Sequence, residues 1–177
     1  ASTGLGKELA RQLARKGYDL TLVARRKKLL SELKKEMKDS GASIHIVQAD
    51  VTNWDAMQGA VASAELAIGP IDVLVGNAGI SGPTRATKFD VAVARDIMEV
   101  NVLGLMHSVA AVMPGFLKRK SGHIVGISSL SSYIGLPGFS AYSASKAAVS
   151  NYLDAIRFEL KPHKVTVTKV CPGFIRT

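Results

Sequence analysis

Residues 71–79 read "IDVLVGNAG", and this short run decides how the chain folds. Its apolar residues lack the polar alternation of a strand with one wet face, so the sequence predicts a buried strand, covered on both faces. The run then ends on glycines and an asparagine, residues that let the backbone turn sharply. Covered strands of this kind belong to parallel sheets, in which each strand is followed by a crossover helix.

The same alternation continues on either side. Upstream, Leu5, Leu9, Ala10, Leu13 and Ala14 recur at helical spacing, and Gly17 closes that helix. "YDLTLVA" reads as a strand, "KKLLSELKKEMKDSG" as an amphipathic helix closing on Gly41, "SIHIVQAD" as a strand, and 53–68 as a helix. Downstream, 90–117 carries a long helical pattern with Pro114 near its end as a kink or stop. "GHIVGISS" reads as a strand, 142–160 as a helix, and "KVTVTKV" as a strand before "CPGFIRT". The expected fold is α/β: a doubly wound, Rossmann-like parallel sheet in one domain over 1–177. The chain opens inside a glycine-rich loop with no strand before it and closes on a turn. The expectation is therefore a domain lacking its first central strand and a C-terminal substrate segment, with a gap in the sheet and a molecule that continues in both directions.

The chain has 177 residues, 47% of them hydrophobic, which suffices for one domain with a real core. Cys171 is the sole cysteine, so no internal disulfide can form, and a reducing, cytoplasmic setting is expected. Gly, Pro and charge interrupt the apolar runs before membrane-spanning length, so no membrane segment is expected in this stretch. The chain starts at Ala1 rather than Met, which leaves room for an upstream targeting or anchor segment. The net charge is +9, with many basic residues between Lys7 and Lys38 interleaved with Glu8, Glu32, Glu36 and Asp39. On helices that pattern is a solvated face. Nucleic acid is not expected as a partner, because no binding motif is present and aromatics make up only 6%.

"STGLG" at 2–6 opens the first helix. Glycines there admit a phosphate to the backbone, and a helix N-terminus offers free N–H groups and partial positive charge. In a dinucleotide fold, an acid about 20 residues on holds the ribose 2′-hydroxyl, whereas an arginine accommodates a 2′-phosphate. Arg25 stands at that place, followed by Arg26, Lys27 and Lys28, and no acid is present. The cofactor expected is NADP(H), with NAD(H) the alternative. Arg25 is the phosphate ligand of choice, and Arg26 is expected to point to solvent.

"YSASK" places Tyr142 and Lys146 four residues apart, on one helix face. An ammonium beside a phenol favours the phenolate and lowers a pKa that is ordinarily about 10. The histidines His45, His107, His123 and His163 have no metal-ligand spacing and read as structural; no metal is expected. Cys171 has no evident base beside it and is not expected to act as a nucleophile.

With these motifs in this order, the chain resembles the short-chain dehydrogenase/reductase family over essentially its whole length. "STGLG" resembles the tail of the family's cofactor loop, implicating Ser2, Gly4 and Leu5. "ADV" matches the segment beside the adenine, with Asp50 and Val51. "GNAG" matches the family's Asn-Asn-Ala-Gly turn, with Gly76 in place of the first Asn, and supplies Asn77, Ala78 and Gly79. "NVLG" carries Asn101, "ISS" ends in Ser129, and "PGFIRT" resembles the turn by the nicotinamide, with Pro172, Gly173, Ile175 and Thr177.

The resemblance implies an oxidoreductase that interconverts a carbonyl and an alcohol by hydride transfer. Tyr142 would be the general acid in reduction and the general base in oxidation. Lys146 would also bind the nicotinamide ribose, Ser129 would hold the substrate oxygen, and Asn101 would position a water linking Lys146 to solvent. The loops around "ISGPTRATK" and "LSSYIGLPGFS" would select the substrate, and Ile134, Leu136 and Phe139 suggest a hydrophobic one. A homodimer or homotetramer through the long helix and the Tyr142 helix is the family's usual assembly. The runner-up readings are a cofactor-binding regulatory protein without turnover and, on thinner support, a nucleic-acid-binding module.

Overall fold

A computed structural model describes residues 2–175. Thr177, assigned above to the cofactor turn, lies outside the described residues. Helices and strands alternate as expected: α1 (Gly4–Arg15), β1 (Leu20–Ala24), α2 (Lys27–Glu36), β2 (Ile44–Gln48), α3 (Trp54–Ile68) and β3 (Val73–Gly76). After them come α4 (Val91–Met98), α5 (Gly104–Arg119), β4 (Gly122–Ile127), α6 (Ser140–Leu160) and β5 (Val165–Val170). Asn53 starts α3 by accepting the Ala56 N–H, and Asp90 starts α4 by accepting from Ala92 and Val93.

Every strand pairing between these elements is parallel, in two sheets ordered β1-β2 and β3-β4-β5. The sheet is interrupted between the β1-β2 pair and the β3-β4-β5 set. Helices cover both faces of the first sheet: α1 and α2 pack on Leu22 and Ile44, while α3 packs on Val23 and Val47. In the second sheet α5 and α6 lie on one face of β4, where Gly122 meets Phe116 and Gly126 meets Leu153. Val109, Val112 and Phe116 of α5 join Ile124, Val149, Leu153 and Val167 in the largest core cluster. Burying each such side chain contributes roughly 1.5–3 kcal/mol.

Three expectations need correction or narrowing. Strand β3 is not buried: Val73 is 44% exposed, and Leu74, Val75 and Gly76 are half-buried. Its only strand neighbour among the described residues is β4, so its other edge is uncovered. Of the two outcomes expected at Pro114, a kink or a stop, the stop does not occur, because the helix runs on to Arg119. The proline ring removes the bond to the carbonyl of Ala110, but both residues lie on the exposed side, where water can take that carbonyl. Finally, the apolar run is longer than the sequence reading allowed. Val91–Arg119 forms one helix of 29 residues, and an 18-residue window within it has mean hydropathy 1.6, enough in length and composition to cross a membrane. Val102, Leu105, Val109, Val112 and Phe116 turn its apolar stripe into the core, which is how a core helix passes the same test.

Candidate active site

At the ends of β3 and β4 the chain forms a cleft of about 340 Å³. Gly4 and Leu5 from the start of α1 line it, as do Asn77 and Gly79 from the turn after β3. Ser129, Tyr142 and Lys146 stand on a second side, and Pro172, Gly173 and Ile175 on a third. Motifs separated by as many as 171 positions, from Gly4 to Ile175, thus meet around one opening. Thr3, Ile127 and Ser128 also line it, as do Ile80 and Ser81, which open the loop "ISGPTRATK" expected to select the substrate.

The phenol and ammonium share a side of α6. Lys146 Nζ lies 5.8 Å from the centre of the Tyr142 ring and donates to the Ile127 carbonyl at 2.9 Å. Lys146 is only 5% exposed, and burial pushes its ammonium down to about 8. An ammonium has three donors. The Ile127 carbonyl takes one, which leaves capacity for hydroxyl groups in the cleft.

Ser129 caps the turn that follows β4. Its hydroxyl oxygen accepts the Ser131 N–H at 3.1 Å, so its hydrogen stays available for another oxygen. Beside it, the buried Ser128 hydroxyl donates to the Lys146 carbonyl at 3.0 Å and meets Ser150 Oγ at 2.8 Å. That pair anchors β4 to the turn of α6 that carries the lysine.

Asn101 sits behind the cleft, 1% exposed, inside a π-type turn (Glu99–Leu103) that joins α4 to α5. Such wide turns often mark functional positions, because they re-aim a side chain out of the regular helical spacing. Its carboxamide accepts the Ile80 N–H at 2.7 Å and donates to the Ile80 carbonyl and to Ser145 Oγ, both at 2.9 Å. Ser145 in turn donates to the Tyr142 carbonyl at 2.7 Å. Asn101 therefore ties the segment after the Asn77–Gly79 turn to α6. A Cβ added at Gly79 would lie 3.3 Å from Asn101 Oδ1 and 3.5 Å from Lys146 Nζ, so glycine keeps that corner of the cleft open.

The remaining candidates lie outside the lining. Asp50 accepts from the Thr52 backbone and hydroxyl, at 3.0 and 2.9 Å, and holds the turn after β2. The Val51 carbonyl meets His107 Nδ1 at 3.0 Å. Arg25, with its side chain 67% exposed, has its guanidinium 3.7 Å from Asp50. Arg26 adds to the sequence reading. It is exposed, as expected, but its guanidinium also reaches the glycine loop, donating to Ser2 Oγ at 3.3 Å and Thr3 Oγ1 at 3.2 Å. Ala78 is exposed on the turn after β3. His45 pairs with Ser63 and His123 with Thr168, at 2.9 and 2.8 Å. The Cys171 thiol is 3.6 Å from the Tyr133 hydroxyl.

The arrangement fits a dinucleotide. A helix start with unpaired N–H groups, glycine-lined walls and a buried, under-used ammonium converge on one opening.

Known proteins point the same way. A sequence model described as short chain dehydrogenase matches residues 1–177. An uncharacterized oxidoreductase of Myxococcus xanthus is 38% identical, over all of this chain and 70% of its own length. Dehydrogenase/reductase SDR family member 7B of Rattus norvegicus is also 38% identical, over all of this chain and 56% of its own. The chain thus spans little more than half of that relative. An actinorhodin polyketide ketoreductase solved with NADPH superposes with a TM-score of 0.95 at 31% identity, covering 99% of this chain and 68% of the other. The chain belongs to the short-chain dehydrogenase family of nicotinamide-dependent oxidoreductases.

Proposed function

We propose that the chain is the catalytic core of an enzyme that interconverts a carbonyl and an alcohol, with NADP(H) preferred and Tyr142 as general acid and base. The observation that carries this reading is the joint presence of Ser129, Tyr142 and Lys146 on one cleft walled by Gly4, Asn77, Gly79 and Pro172.

When bound, the nicotinamide cofactor supplies the hydride for the carbonyl carbon. Gly4, Leu5 and the open first turn of α1 take the pyrophosphate, and Lys146 takes the ribose hydroxyls. Ser129 donates its free hydroxyl hydrogen to the substrate oxygen and steadies the negative charge that develops there. Tyr142 hands its phenolic proton to the same oxygen. Lys146, held near 8, can exchange protons close to neutral pH. Asn101 holds the floor of the site together through Ile80 and Ser145.

Arg25 and the absence of an acid after β1 support NADP(H) over NAD(H). Exposed Met98, Leu103 and Phe158 support association of copies through the long helix and α6. Exposed Ile134 and Phe139, on the loop leading into α6, support a hydrophobic carbonyl substrate. The test is NADPH and NADH oxidation by the full-length protein over a panel of ketones and aldehydes. Turnover with a higher kcat/KM for NADPH is expected. No turnover with either cofactor would sink the proposal, and a strong NADH preference would sink its cofactor half.

A further inference from the structure

Between Asn77 and Asp90 nearly every residue is exposed or half-buried, and Thr84 alone is fully buried. It is drawn inward by the start of α6. Helix α6 begins after Phe139, which offers no side-chain cap, so the first N–H groups need acceptors from elsewhere. Thr84 Oγ1 supplies one across 57 residues of sequence, accepting the Ala141 N–H at 3.0 Å. The same residue is fastened twice more through its main chain: its N–H donates to the Gly138 carbonyl at 2.8 Å, and its carbonyl accepts the Ser140 hydroxyl at 2.6 Å. A short parallel bridge between Thr84 and Phe139 completes the strap. Ala141, the residue held, immediately precedes Tyr142.

We propose that Thr84 is a positioning residue for Tyr142. Its buried hydroxyl and backbone fasten the first turn of α6 to the loop that follows the cofactor turn, so that the phenol is held at one height in the cleft. The strap also joins the two loops flanking the cleft, 80–90 and 130–139, into one unit. Asn101 and Ser145 brace the inner side of the same helix turn, and Thr84 braces its outer end. The proposal rests on the reading of Tyr142 as proton donor.

The test uses the full-length protein, NADPH, and 9,10-phenanthrenequinone as probe substrate. Thr84→Val keeps the shape and removes the acceptor; Thr84→Ser keeps the hydroxyl. Misplacing a reacting group by about 1 Å costs on the order of 100-fold, so Thr84→Val is expected to lower kcat roughly 10- to 100-fold. The KM for NADPH should stay within about twofold, because the cofactor walls are untouched, and Thr84→Ser should restore most of kcat. A fall in kcat at constant KM, rescued by the conservative Thr84→Ser, is a pattern that a purely structural role would not cause. Native kcat in folded Thr84→Val, or equal loss in Thr84→Ser, overturns the proposal. If Thr84→Val does not fold, Ser140→Ala removes one strap at an exposed position: a several-fold fall in kcat at constant KM supports the proposal, and an unchanged kcat overturns it. Retained turnover in Tyr142→Phe would remove the underlying reading. An inactive Tyr142→Phe beside a fully active Thr84→Val would remove this inference alone.

Discussion

Replacing Lys146 with methionine should make the protein more stable while it destroys activity. Burial holds the Lys146 ammonium at about 8 against an ordinary 10.5. At about 1.4 kcal/mol per unit, that difference corresponds to a penalty of roughly 3 kcal/mol for carrying the charge in the folded state. Removing the side chain also orphans the Ile127 carbonyl, which Lys146 now caps at 2.9 Å. An unmade bond of that kind costs about 1 kcal/mol. The expected net gain for Lys146→Met near pH 7 is therefore about 2 kcal/mol, or a Tm higher by roughly 4–8 °C for a chain of this size. The pH dependence follows from the same shift. The unfolded lysine keeps its proton up to 10.5, the folded one only to about 8. Between those values the unfolded state binds more protons, so native stability rises with pH there. The methionine variant lacks that rise, and its advantage should shrink from pH 8 to 10.5. Thermal unfolding followed by circular dichroism across pH 6.5–10.5 measures both effects. A Tm several degrees below native at pH 7, or a difference that ignores pH, would show that the lysine charge is well solvated and refute the reasoning.

Three more outcomes can be checked separately. Charge-assisted hydrogen bonds contribute about 1.5–3 kcal/mol, so Arg25→Ala should weaken NADPH binding roughly 10- to 100-fold and leave NADH alone, as read by cofactor fluorescence. Arg26→Ala should weaken both cofactors, because Arg26 ties Ser2 and Thr3 of the glycine loop; equal losses on NADPH and NADH from Arg25→Ala would remove that residue's 2′-phosphate role. Gly126→Ala would put a Cβ 2.3 Å from Leu153 Cδ1, where β4 meets the helix bearing Tyr142. Overpacking of that sort costs about 1–3 kcal/mol, so Tm should fall by several degrees, and an unchanged Tm would mean that Leu153 repacks freely.

Much of this architecture was legible in the sequence because its signals are local. Apolar runs, helical spacing and turn glycines depend on neighbours a few residues away, and so the strands and α-helices of the described residues lie within a few positions of where the sequence puts them. The exposure of β3 was not legible, since a strand's cover comes from elsewhere in the molecule and "IDVLV" reads the same with or without it. Nor was the path through Pro114, because the exposed face of Ala110 that tolerates it appears only once the helix has a core side. Tyr142, Lys146 and Ser129 stood out by spacing and family pattern. Thr84 and Ser145 did not: they are short polar residues whose partners lie 57 and 44 positions away in sequence. The bonds of Arg26 were hidden for a similar reason, since its hydroxyl partners at Ser2 and Thr3 come near only when α1 and α2 pack side by side on β1.

The most direct measurement is Tyr142→Phe in the full-length protein, mixed with NADPH and a reducible carbonyl and followed through a single turnover. A lost general acid typically removes a factor of about 100 to 10,000. The expected result is NADPH bound with near-native affinity and hydride transfer slowed by at least that lower figure. Transfer at the native rate would mean that the proton comes from some other group.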